Sequence, residues 1–166
     1  MKLLRLSAAA MAALIAGCAA SPELISCLQP NRRVAVEVSG FKVKPAKKPG
    51  GKVGKDNVLL KAMAQGDLAF DPNSAVLKSG GMAEMDKMIK TINQGTRRDK
   101  RPINVGAIVI SGYSDRLEVE DGHKDLDVKR AEAVKTYLVK KGLKEDQMFW
   151  EGRDASNPVP VTQYCD

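Results

Sequence analysis

The feature that most constrains this 166-residue chain is INVGAIVISGY at residues 103–113, a β-branched run long enough for a central strand. Helical periodicity flanks it on both sides. Met82, Met85, Ile89 and Ile92 fall at helical spacing and predict a helix over 79–94 with one buried stripe. Ala131, Val134 and Leu138 stripe a second helix near 126–141, with Asp127 as a candidate N-cap and Gly142 as a natural stop. Helices that are apolar on one side must pack on something, and here the partner is a sheet.

Other strands complete that sheet. Residues 27–40 read CLQPNRRVAVEVSG, in which Val34, Val36 and Val38 alternate with Ala35, Glu37 and Ser39, the pattern of a half-buried strand. Residues 57–70 read as an irregular strand, and MFWEG at 148–152 as a short last one. The run at 103–113 is expected to be buried on both faces, and Trp150, the only tryptophan, to sit in the core. The order is strand, linker, strand, helix, strand, helix, strand, which gives an α+β layered sandwich.

Composition narrows the function. A hydrophobic share of 43% suits one packed domain, and an aromatic share of 4% argues against a sugar- or base-stacking groove. No nucleic-acid partner is expected. The net charge of +7 is concentrated in KVKPAKKPGGKVGK at 42–55, which holds six lysines and no acid. Two prolines and three glycines in the same run make it a flexible basic linker over 41–56. Contact with anionic lipid headgroups or another polyanion is the second reading of that run.

At the amino end, MKLLRL is a basic region and SAAAMAALIAG a short apolar segment, too short to span a bilayer and suited to a secretory signal over 1–17. Leu14-Ile15-Ala16-Gly17-Cys18 resembles the lipobox of bacterial lipoproteins. The resemblance implies cleavage before Cys18, acylation of that residue with palmitate-type chains, and a lasting membrane anchor. Ala19, with no aspartate at that position, resembles lipoproteins sent to the outer membrane, so the domain is expected to face the periplasm. Residues 18–22 would be a short tether and 23–166 the domain. Once Cys18 carries lipid, Cys27 and Cys165 remain, and the periplasm permits them to pair. Such a link closes nearly the whole mature chain into one loop, worth roughly 4–5 kcal/mol in the loop-entropy account. One histidine and two distant cysteines lack metal-ligand spacing, so neither a metal nor a cofactor is expected.

Four motifs carry a family resemblance. FDPNSAVL at 70–77, GYSD at 112–115, KRAEAVKTYL at 129–138 and NPV at 157–159 resemble the OmpA-like carboxy-terminal domain that binds peptidoglycan. That family shows F-[DN]-x-N, G-[HY]-[ST]-D, R-A-x-x-V-x-x-Y-L and N-P-V in this order. Its final N-R-R-V strand is missing after residue 159, and ELISCLQPNRRVAVEVSG at 23–40 looks like that strand with its leading helix turn and cysteine. The resemblance implies an OmpA-like βαβαβ sandwich, circularly permuted so that the family's last strand comes first, with the basic run as the new connection. Two cysteines bracket the same segment in some members, which adds support for a Cys27–Cys165 pair.

The resemblance also implies a ligand, the diaminopimelate of the peptidoglycan stem peptide. Its free amino-acid head requires an anion and a planar cation held a few ångströms apart. Asp115 would meet the ammonium and Arg130 the carboxylate, whose bidentate recognition is directional and is not replaced by lysine. Asn73 matches a pocket-lining asparagine, and Arg32 matches an arginine near the ligand carboxylate, with Arg33 able to take its place. His123 stands where the family commonly has asparagine, and an imidazole can still donate a hydrogen bond. Glu118 replaces an expected loop glycine, and Leu126-Asp127 replaces L-S and adds an acid near Arg130. Read singly, Asp115 could simply cap the loop, and Arg130 could pair with Asp127 or Glu132.

The expected function is therefore non-enzymatic: an outer-membrane lipoprotein that holds peptidoglycan without a covalent bond. A structural or assembly subunit of an envelope complex is the alternative. The eight residues between Cys18 and Cys27 favour it, because they reach only about 30 Å when extended and would keep the domain near the membrane. No Ser/His/Asp, Cys/His or two-carboxylate pattern supports a hydrolase, and no catalytic residue is assigned.

Overall fold

A computed structural model describes residues 20–44 and 54–160. The expected signal peptide, Cys18, the middle of the basic run and Cys165 lie outside the described residues.

The first described element is α1 (Pro22–Leu28), begun by Ser21, whose hydroxyl accepts the Leu24 N–H at 3.2 Å, with proline in the first turn. A 3₁₀ turn then leads into β1 (Arg33–Lys44), followed by β2 (Gly54–Gln65), α2 (Ser79–Gln94) and β3 (Asn104–Tyr113). Next come α3 (Arg116–Glu120), α4 (Leu126–Lys140) and β4 (Met148–Gly152). The sheet order is β2-β1-β3-β4. β1 is antiparallel to both neighbours, whereas β3 and β4 are parallel and joined by the α4 crossover that parallel pairing needs. β1, the first of the described strands, is thus interior to the sheet.

One apolar layer joins the sheet to its helices. Val34, Val36 and Val38 of β1, Ala64 of β2 and Ile108 and Ile110 of β3 pack with Met85, Met88 and Ile92 of α2 and Ala131, Val134 and Leu138 of α4. The fold is mixed α+β, as expected. Some burial expectations change, for one physical reason: the helices cover only one sheet face. Ile108 and Ile110 are fully buried, but Val109 between them is 38% exposed, so β3 is not buried on both faces. Trp150 is 41% exposed on the short edge strand, with Lys135 Nζ 3.8 Å above its ring. On α2 the inward stripe is Met85, Met88 and Ile92, while Met82 is at the margin at 36%.

Two boundaries also differ. β1 and β2 pair as far as Lys44↔Gly54, so strand structure enters the expected linker from both sides. Lys42 meets Asp99 and Lys44 meets Asp56, which removes the charge penalty of extending a lysine-rich strand. Gly40 is a bulge rather than a strand end. The register against β3 shifts there, and a Cβ would lie 2.3 Å from the Asn104 carbonyl oxygen.

Candidate functional site

The site forms where β3 ends. Residue 112 must be glycine because α4 packs directly on it: a Cβ there would lie 2.0 Å from the Asp127 carbonyl oxygen. That close approach brings the first turns of α4, and with them Arg130, over the end of the sheet. Asp127 secures the same contact from the helix side. Its carboxylate accepts N–H bonds from Val128 and, beyond β4, from Asp154, each at 2.8 Å. Asp127 is therefore a stitch between α4 and the segment after β4, and it does not cap the helix.

Arg130 is fully buried, and its guanidinium is fully used. Nη1 donates to Glu118 Oε2 at 2.7 Å and Nη2 to Glu118 Oε1 at 2.6 Å, a bidentate fork on one carboxylate. Nε reaches the Ser74 carbonyl at 3.0 Å, and the remaining contacts go to the Tyr113 and Asp71 carbonyls at 3.2 and 3.5 Å. An arginine side chain has five N–H donors, and all five are engaged. The partner is neither Asp127 nor Glu132 but Glu118 of α3.

Glu118 is as complete on the acceptor side. Oε1 also accepts the Asn73 backbone N–H at 2.9 Å, and Oε2 the Asp115 backbone N–H at 3.0 Å. Two oxygens thus take four donors, two from the guanidinium and two from backbone amides of different segments. Asn73 aims its amide from a left-handed conformation, φ 55°, which asparagine tolerates better than most residues. Burial pushes the Glu118 carboxyl up, but the Arg130 fork and the two backbone donors outweigh it and hold the group below its ordinary value.

Asp115 belongs to the same cluster. Its Oδ1 accepts the Glu118 N–H at 2.9 Å, so Asp115 and Glu118 form a reciprocal capping box at the start of α3. Its Oδ2 meets Arg32 Nη1 at 2.8 Å, and Arg32 reaches on to Asp67 and to the Ile25 carbonyl. Arg32, not Arg33, joins the site; Arg33 stacks 3.8 Å over Tyr113 and donates to the Asn157 carbonyl. Arg32 is less fully satisfied than Arg130, since its Nε is buried without a hydrogen-bond partner.

Two clefts open beside the cluster. One, of about 220 Å³, is lined by Ile25, Asn73, Asp115, Leu117, Glu118 and Asp121, among others. The other, of about 330 Å³, contains His123, Lys124, Asp125 and Lys129 and shares Asn73 with the first. The structure thus brings Asn73, Asp115, Arg130 and Arg32 together and places the exposed His123 in the adjoining cleft. Among the described residues no three His, Cys, Asp or Glu side chains are arranged to hold a metal ion.

The profile of the OmpA family matches residues 69–163, which include α2, β3, α4 and β4 and most of the cluster just described. The chain belongs to the OmpA family. Among its curated relatives are Outer membrane protein A of Escherichia fergusonii and of Citrobacter freundii, each 32% identical over 93 residues. Those 93 residues are 56% of this chain and 36% and 37% of the two relatives. Outer membrane protein A of Klebsiella pneumoniae is 32% identical over 117 residues, 70% of this chain and 31% of that protein. The chain thus spans about a third of the length of these OmpA relatives. Among the described residues no helix is long and apolar enough to cross a membrane.

Within this OmpA-family domain, the residue that the sequence did not assign to the site is Glu118. It stood out only as a departure from a loop glycine. A local signal was present, because D-R-L-E at 115–118 is a capping-box pattern that predicts a helix start and turns both carboxylates toward one end of it.

Proposed function

We propose that the domain holds peptidoglycan non-covalently, through the free amino-acid head of diaminopimelate, as the periplasm-facing part of a lipid-anchored outer-membrane lipoprotein. The observation that carries this reading is the convergence of Asp115, Arg130, Arg32 and the Asn73 amide at one sheet end, beside an open cleft. A zwitterionic head requires an anion and a guanidinium fork; Asp115 lines the cleft, and the Arg130 fork lies behind it on Glu118, which also lines the cleft. The lipobox resemblance at residues 14–18 supports acylation of Cys18 and a place at the outer membrane.

The permuted order of the domain belongs to the same proposal. Its support is that β1, although first among the described strands, is an interior strand between β2 and β3, and that Arg32 at its start reaches the cluster. Pairing of Cys27 with Cys165 would tie the two chain ends, and its support is that Cys27 is disulfide-bonded.

Mature protein mixed with purified sacculi should pellet with them and be released by a soluble muropeptide carrying meso-diaminopimelate. Arg130→Lys, which keeps the charge but loses the fork, should stay in the supernatant. Protein that folds and never pellets would refute the reading. A second reading, a scaffold subunit of an envelope complex, is favoured by one observation: every Arg130 donor is already engaged within the chain.

A further inference from the structure

Resting on the peptidoglycan reading, we infer that Glu118 is an internal competitor for the ligand's carboxylate, so that ligand binds when α3 withdraws Glu118 from Arg130. The donor set around Glu118 is a carboxylate receptor. It consists of a planar guanidinium fork and two backbone amides, from Asn73 and Asp115, aimed at two oxygens. No donor of Arg130 is left over, so a carboxylate arriving from the 220 Å³ cleft cannot add to the site. It can only replace the one already there.

The fold makes that replacement feasible. α3 has five residues, and Glu118 is the only one of them that is buried. Leu117 and Val119 are half-buried, and Arg116 and Glu120 are exposed and paired with each other at 3.7 Å. The helix is therefore held by the Glu118 side chain and its capping box, not by an apolar face in the core. Gly122 lies two residues past the helix with φ +86° and nothing within 4 Å of where a Cβ would be. Backbone bonds from Asp121, Gly122 and His123 to α3 carbonyls tie that end, so the withdrawal has to break or carry those bonds. Arg32 stands toward Asp115 as Glu118 stands toward Arg130. It also holds Asp67, so it retains an anionic partner when a ligand ammonium takes Asp115. Both charges of an amino-acid head thus have an internal counterpart.

An apparent affinity is the intrinsic one reduced by the fraction of protein that is competent to bind. If the withdrawn state holds about 1–10% of the population, removing the competitor tightens binding about 10–100-fold. The test is titration of the mature protein with a soluble disaccharide-tripeptide ending in meso-diaminopimelate. Glu118→Gly should bind at least about tenfold tighter than wild type, and Glu118→Gln should fall between them. Wild type binding with equal or better affinity than cooperatively melting variants overturns the competitor and leaves the peptidoglycan reading intact. Failure of every folded form to bind overturns both. Should the variants not fold, hydrogen exchange on wild type decides. Saturating ligand should unprotect the amides of Glu118 and Val119, and retained protection in the bound state overturns the inference.

Discussion

The two ends of β1 carry the same kinds of charge in opposite settings. At its start, Arg32, Asp115, Glu118 and Arg130 form two pairs whose side chains are at most 3% exposed. At its far end, Arg101, Asp56 and Asp99 form pairs near one-third exposed, joined by Lys42 and Lys44. Water screens Arg101, Asp56, Asp99 and Lys44 and lets them exchange partners, with only Lys42 buried among them, so they do little more than make a lysine-rich hairpin tolerable. The first group has no water to fall back on. Its geometry must be complete, and at Arg130 and Glu118 it is. Buried ion pairs are a poor source of stability, since desolvation offsets their attraction, and in some proteins they serve specificity instead. The contrast marks the Arg32 end as the one whose charged partners are fixed, which is why the proposed site is placed there.

Removing one partner at that end should have the largest effect. Arg130→Met leaves Glu118 buried without its cation and should cost about 3–5 kcal/mol in denaturant unfolding, while Glu118→Leu/Arg130→Met should recover much of that loss. A double variant no more stable than the single would mean that packing, not charge, holds the site. Asp115→Asn comes next. Asparagine is an equally good N-cap, so α3 should survive, and the loss of the charged bond to Arg32 should cost about 1.5–3 kcal/mol.

Acid separates the ends more gently. Glu118 has a folded value depressed below its ordinary 4.5, so its contribution is fully present above about that pH and disappears as pH falls through the lower folded value. Glu118→Gln should flatten the stability profile in that window, as measured by urea midpoints across pH. The smallest effect is expected from Arg101→Ala at the far end, where the midpoint should hardly move although Arg101 holds Asp99 well below the usual carboxylate range. A large loss there would erase the contrast between the two ends.

Much of this architecture was legible because it rests on periodicity. The valines of β1, the Ala131–Val134–Leu138 stripe and the bounds of α2 follow from one-sided burial. Asp115 and Arg130 were singled out by the family resemblance of GYSD and KRAEAVKTYL, and both lie in one buried cluster. What could not be read was which group each charge would meet, because Glu118 and Arg130 are partners across a loop whose path depends on the Gly112–α4 contact. The exposure of Trp150 and Val109 was hidden for a related reason. A strand's sequence does not say whether a second layer covers its other face. The extra length of β1 and β2 was masked by lysines whose acidic partners become apparent only once the strands pair: Asp56 lies across the hairpin in β2, and Asp99 in the turn after α2.

The central claim is that Glu118 occupies a carboxylate site from within. The direct measurement is an NMR titration of the Glu118 side-chain carboxyl, with and without saturating meso-diaminopimelate muropeptide. The free protein should give a value below 4.5, with a return toward the ordinary value once the ligand expels the side chain into water. An ordinary value in the free protein, or a depressed value that bound ligand leaves unchanged, would contradict that claim.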